Sequence, residues 1–187
     1  MELRHQVSPP RAAARSLREW VRLGAGGAAV LLVVTGLYLT SARDEAAPSA
    51  SAVAVRRLPA TLGSLDRAWS LTGAEALREV RSLHLGDFRM ASAEVAGYGD
   101  GATIWIAVPA RDRAAGRYVA RMAGAIAGGE SPFAAPTELA SAPGVWRTEG
   151  SGQQHAFFAA DGAVWWLAAD AADADRALQA LLGEVRP

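Results

Sequence analysis

The sequence predicts an α+β protein: an N-terminal transmembrane helix followed by an antiparallel sheet with packed helices. Three observations carry this prediction. Residues 23–42 form an uncharged run bracketed by Arg22 and Arg43. Two Asp-Gly pairs, Asp100-Gly101 and Asp161-Gly162, each separate a pair of apolar, strand-like runs. After each of those hairpins comes a stretch with apolar residues at helical spacing.

Residues 1–22 are a basic tail, with Arg4, Arg11, Arg15, Arg18 and Arg22 against Glu2 and Glu19. The following 20 residues, 23–42, span about 30 Å as a helix at ~1.5 Å per residue, the thickness of a bilayer's hydrocarbon core. Trp20 and Tyr38 sit near its two ends, where amphipathic rings favour the membrane interface. Arginine precedes the run far more than it follows it, which predicts a cytoplasmic N-terminus and an extracytoplasmic C-terminal part. A cleaved signal peptide is the rival reading, with Thr40-Ser41-Ala42 as a small-residue cleavage site. The run is longer than the ~7–15 residues usual for a signal's apolar region. Gly24, Ala25, Gly27 and Ala28 would let two such helices approach closely, so a homodimer through this segment is a candidate.

Residues 43–57 are small and polar with Pro48, and read as a flexible linker. The folded domain is expected over residues 58–187. Residues 72–82 predict a helix, with Thr72 as N-cap and Glu75 completing a capping box. The runs 93–98 and 102–108 predict two strands joined at Asp100-Gly101, followed by a helix over 112–127. Val145 to Thr148 predicts a strand that pairs with 153–159 across Gly150-Ser151-Gly152. That strand joins 163–168 at Asp161-Gly162, and a helix follows over 172–183. At an offset of 61 residues, Asp100, Gly101, Trp105 and Asp112 match Asp161, Gly162, Trp166 and Asp173. The two stretches are therefore candidates for duplicated ββα halves.

Composition narrows the function classes. The chain has no cysteine, which excludes disulfides, cysteine–zinc sites, c-type haem attachment and a lipoprotein-type anchor. Its net charge is zero, and residues 43–187 are slightly acidic, so no footprint for nucleic acid exists. Every one of the 19 basic residues is arginine and alanine is abundant, the signature of GC-rich bacterial coding.

Alternation along the strands divides Ile104, Ile106 and Val108 from Thr103, Trp105 and Ala107. Trp105, Trp166, Tyr98 and His155 are the candidate residues of an aromatic surface that would bind a partner, lipid or ligand. The competing reading is that these rings fill the core. Phe133, in the proline-rich loop 128–144, is either an apolar binding anchor or a ring tucked under a crossover. His84 and Asp87, together with His155, lack the close spacing of a metal motif, and neither a metal nor a cofactor is expected. Ser151, His155 and Asp161 occur in order, but without a nucleophile-elbow pattern. There is no phosphate-binding or dinucleotide fingerprint. Arg113, Arg117 and Arg121 form a stripe on the helix expected over 112–127, most simply a solvated face. The leading expectation is a membrane-anchored extracytoplasmic interaction or accessory domain with an envelope protein partner. The alternatives are a small-ligand-binding domain with an aromatic groove and, third, a hydrolase.

Overall fold

The computed structural model describes residues 58–83, 88–111, 114–185 and 187. The basic tail, the 23–42 segment and the linker lie outside the described residues, as do His84, Asp87, Asp112 and Arg113. No helix of the described residues is long and apolar enough to cross a membrane.

Among the described residues, one antiparallel sheet of eight strands carries three helices, an α+β arrangement. In chain order these are β1 (Thr61–Leu62), β2 (Leu65–Thr72), α1 (Gly73–Ser82), β3 (Met90–Tyr98), β4 (Ala102–Pro109), α2 (Ala115–Ala127), β5 (Thr137–Glu138), β6 (Trp146–Gly150), β7 (Gln153–Ala160), β8 (Ala163–Ala169) and α3 (Ala174–Glu184). Across the sheet they run β1-β2-β3-β4-β8-β7-β6-β5. The order reads alike from either edge, with each first-half strand mirrored by its second-half counterpart. At the centre β4 and β8 pair antiparallel, and Trp105 lies directly opposite Trp166. The two residues matched by the 61-residue offset thus meet at the approximate two-fold.

Turn chemistry explains the hairpins. Asp161 and Gly162 have φ of 52° and 78°, and Ser151 and Gly152 have 53° and 79°. Two successive positive φ values make the turn whose twist suits a two-residue hairpin. The first hairpin differs: Tyr98 pairs with Ala102, so its loop holds the three residues Gly99, Asp100 and Gly101, with φ of 50° at Gly99. A two-residue turn at Asp100-Gly101 would instead place Tyr98 opposite Thr103. The extra residue shifts the register by one and moves Tyr98 to the other sheet face.

Helices cover both faces, not one. On the face that carries Trp105, α1 sets Ala76 and Val80 on Ala93, Val95 and Ala107. On the same face, α2 sets Ala115, Val119, Ala123 and Ile126 on Phe157 and Val164. The opposite face receives α3, through Ala174, Ala177, Leu178 and Leu181, and the entering segment through Leu58 and Leu62. An exact two-fold would place α3 over β3 and β4 beside Trp105. Ala76 and Val80 of α1 already fill that area, so α3 packs on the far side. Thr72 precedes α1 in extended conformation as expected of an N-cap, but no side-chain cap bond forms, so the capping box is not made. Asp173 likewise caps nothing and instead pairs with Arg176 at 3.2 Å.

The far-side core is the larger one. Tyr98, Ile104, Phe158, Leu167 and Leu181 are all nearly or fully inaccessible there, each contributing on the order of 1.5–3 kcal/mol by burial. Trp165 stacks parallel to Phe158, and its Nε1 donates to the Ala160 carbonyl at 3.2 Å.

Candidate functional site

The face bearing Trp105 carries a row of cross-strand neighbours that spans six strands. From β2 to β6 it runs Leu71, Val95, Trp105, Trp166, Phe157 and Trp146. Residues directly opposite on adjacent strands point to the same face at ~4.5–5.5 Å, so these side chains stand side by side. Phe157 is fully buried, while Trp105, Trp146 and Trp166 are half-buried. Trp69 is also half-buried, and its indole lies over Gly97. A Cβ built on Gly97 would stand 2.3 Å from Trp69 Nε1, so only glycine admits the ring there. Phe88 and Tyr118 meet edge to face at 4.2 Å, between α1 and α2.

Around Trp166 the rings form a tight group. Phe157 stacks on it at 5.0 Å, and Phe133 lies 5.3 Å away. Phe133 also meets His155 edge-on at 4.8 Å. The loop that carries Phe133 is a crossover from α2 to the β6 edge. It is stitched to β6 by Ala134 N donating to the Glu149 carbonyl at 2.8 Å and Thr148 Oγ1 donating to the Ala134 carbonyl at 2.6 Å. Phe133 fills the space above Gly150, where a Cβ would stand 2.4 Å from its ring. It is tucked into the aromatic group and is itself half-buried.

His155 is buried, with 6% of its surface accessible. Its Nδ1 accepts from Trp166 Nε1 at 3.1 Å, and its Nε2 lies 3.1 Å from the Gly150 carbonyl. An indole N–H only donates and a carbonyl only accepts, so the ring is the neutral tautomer protonated at Nε2. Burial holds its pKa below the usual histidine value, opposed by the bond to Gly150. Both ring nitrogens are occupied, leaving neither a lone pair for a metal nor a free base for catalysis.

The geometry does not assemble the Ser151, His155 and Asp161 trio. Ser151 lies in the turn before β7 and Asp161 in the turn after it, at opposite ends of an eight-residue strand. Among the described residues, no group of three His, Cys, Asp or Glu could hold a metal ion.

Four of the five sequence-predicted residues therefore come together: Trp105, Trp166, His155 and Phe133. Tyr98 does not. It is fully buried on the opposite face, where its hydroxyl donates to the Pro59 carbonyl at 3.0 Å. Burial, with Glu94 nearby, pushes its pKa up to about 12 against the pull of Arg67. Its place in the aromatic surface depended on a two-residue turn, and the three-residue loop removes it. Sequence reasoning missed Trp69, Trp146, Phe88 and Tyr118. For Trp146 the signal was its place at the start of an expected strand.

Trp105 differs from its counterpart in one respect. Its Nε1 is buried and has no hydrogen-bond partner among the described residues. His155 stands two residues from Phe157, the cross-strand neighbour of Trp166. The residue two positions from Val95, the neighbour of Trp105, is Ala93, which has no side-chain acceptor.

No family model, no curated protein and no solved structure matches this chain.

Proposed function

We propose that the folded domain is the extracytoplasmic interaction module of a single-pass membrane protein, and that a protein partner in the cell envelope seats on the tryptophan face. One observation carries this reading. Four tryptophans, Trp69, Trp105, Trp146 and Trp166, stand half-buried on one sheet face, joined by half-buried Phe88, Phe133, Tyr118 and Met122. The partly covered residues of the opposite face are aliphatic: Leu65, Val108, Leu139, Ala142, Ala180 and Leu182. Tryptophan and tyrosine are the residues that anchor protein interfaces, because they supply large apolar area at low conformational cost. The flanking helix α2 exposes Arg117 and Arg121 and carries no acid, which favours a partner with acidic residues around an apolar centre. The membrane placement rests on the 23–42 run and the arginine asymmetry around it. We further read the two strand-turn-strand units as a duplication. The mirrored strand order and the Trp105–Trp166 pair at its centre support it.

Two measurements on the full chain in its cells test the proposal. A single cysteine at exposed Ser141 should react with a membrane-impermeant maleimide before lysis; reaction only after lysis refutes the topology. A photo-cross-linking residue at Thr103, beside Trp105 and Trp166, should capture one envelope protein. The same residue at Gln179, exposed on α3, should not. No capture, or equal capture from both, refutes the binding face.

A further inference from the structure

The two edges of the sheet are treated differently. On the β6 side, β5 pairs Thr137 with Arg147 and Glu138 with Trp146, and Ala134 continues the cover to Glu149. That edge also carries Arg147, Glu149 and Pro136, the residue types that discourage strand addition. On the β2 side, β1 reaches only Leu65 and Asp66, with one more bond from Arg67 N to the Ala60 carbonyl. A register shift follows between Arg67 and Trp69. Beyond it, Trp69 to Thr72 pair with β3 on one side only, among the described residues, and Ala68 stands at the shift itself. Residues 68–72 read Ala-Trp-Ser-Leu-Thr, with neither charge nor proline. Every second residue of such an edge turns its N–H and C=O outward, ready for another strand.

We propose that this edge pairs with the same edge of a second copy of the chain, antiparallel about Ser70. Directly opposed residues on neighbouring strands share a face, so a two-fold relating identical strands must pass through a residue. Centred on Ser70, all five residues pair: Ala68 faces Thr72, Trp69 faces Leu71, and Ser70 faces itself. Small residues meet small, and the half-buried Trp69 and Leu71 each gain an apolar neighbour. Centring on Trp69 would set Leu71 against charged Arg67, and centring on Leu71 would set Trp69 against Gly73, where α1 begins. The edge is thus self-complementary in one register. The pairing is independent of the membrane anchor and leaves the aromatic row beyond Trp69 free.

The chain's lack of cysteine makes the test clean. Across such a strand pair, Cα atoms of opposed residues lie about 4.5–5.5 Å apart, within the ~4.4–6.8 Å a disulfide spans. Oxidation of full-length Ser70→Cys is expected to give a disulfide dimer of this chain. Ser82→Cys, exposed at the end of α1, should stay monomeric. Ala68→Cys and Thr72→Cys should each cross-link poorly alone and well when mixed. Ser70→Lys and Ser70→Glu should each lose the association, and mixing them should restore it. The proposal is overturned if Ser70→Cys gives no dimer in protein that retains native circular dichroism. It is equally overturned if Ser70→Cys and Ser82→Cys cross-link alike, or if the cross-linked mass contains a different protein.

Discussion

Phenylalanine substituted at Trp105 and at Trp166 should have unequal costs, although the two residues sit opposite each other at the centre of the sheet. Both replacements trade an indole for a smaller ring of similar placement. That loses some tens of Å² of apolar contact, worth ~1 kcal/mol or less at a half-buried position. The polar consequences have opposite signs. Trp166→Phe removes the 3.1 Å bond to His155 Nδ1 and leaves that acceptor buried without a donor. Losing the bond and stranding its partner together cost on the order of 2–3 kcal/mol. Trp105→Phe removes a buried N–H that has no partner among the described residues, which relieves a penalty of ~1–3 kcal/mol. Trp166→Phe should therefore destabilise by at least about 2 kcal/mol more than Trp105→Phe, several degrees in Tm for a domain of this size. Urea unfolding followed by far-ultraviolet circular dichroism measures this without relying on the fluorescence of the altered rings. Removing both partners, in Trp166→Phe with His155→Phe, should recover part of the loss, because neither polar group is then stranded. Equal costs at the two positions, or a greater cost at Trp105, would refute the hydrogen-bond assignment and the asymmetry drawn from it.

Gly150→Ala should destabilise by about 1–3 kcal/mol, because its Cβ would meet the Phe133 ring at 2.4 Å. In a Phe133→Ala background it should be nearly neutral, and a double-mutant cycle by urea unfolding reads the coupling; additive costs would show that the ring does not occupy that space. His155 has a pKa held low by burial, so as pH falls the unfolded chain takes up the proton first. Its contribution to stability is full above the ordinary histidine range and is lost as pH falls through that range toward the folded value. His155→Gln should flatten this part of the stability–pH curve, and an unchanged slope would count against it. Glu94 has its pKa raised chiefly by burial, against a backbone bond from Leu58 and the charge of Arg67. Its carboxyl therefore favours the fold below the ordinary glutamate range, and that contribution is lost as pH rises through the folded value. Glu94→Gln should raise stability slightly at neutral pH, the effect being small because solvent screens a partly exposed group; thermal unfolding at pH 7 decides the sign.

The parts of the fold legible in the sequence were those set by local chemistry. Strands β3, β4, β7 and β8 and helices α1, α2 and α3 fall within a few residues of their expected bounds, because alternation, helical spacing and turn residues are all local signals. The Asp161-Gly162 turn formed as expected, and the turn expected across Gly150-Ser151-Gly152 closes on Ser151 and Gly152 alone with Gly150 paired in β6; glycine accepts the positive φ each requires. Tyr98 was misplaced because glycine on both sides of Asp100 allows either of two loops, and only the sheet selects the three-residue one. The segment from Leu58 to Leu71 was unreadable for another reason. Its short β1 and mostly exposed β2 have no clean alternation, and the chain is held there by distant groups. Arg67 Nη1 donates to the Leu58 carbonyl at 2.9 Å, and the Tyr98 hydroxyl donates to that of Pro59. Of the aromatic site, the sequence matched Trp105 with Trp166 at an offset of 61 residues, but their pairing and the arrival of Trp69 over Gly97 depend on tertiary register.

The approximate two-fold also accounts for where the aromatic surface lies. Two strand-turn-strand units joined through β4 and β8 would bury both tryptophans only if each half sent an equivalent helix over the centre. The halves do not. The first inserts α1 between β2 and β3, and the second joins β6 to β7 by a tight turn and lays the Phe133 loop against Trp166 instead. With α3 displaced to the other face, the row from Leu71 to Trp146 is covered from one side by α1 and α2 and from its end by a single ring. Half-burial of four tryptophans is the direct result. A second departure from symmetry, Ala93 where the other half has His155, leaves Trp105 Nε1 without the acceptor that Trp166 finds across the two-fold.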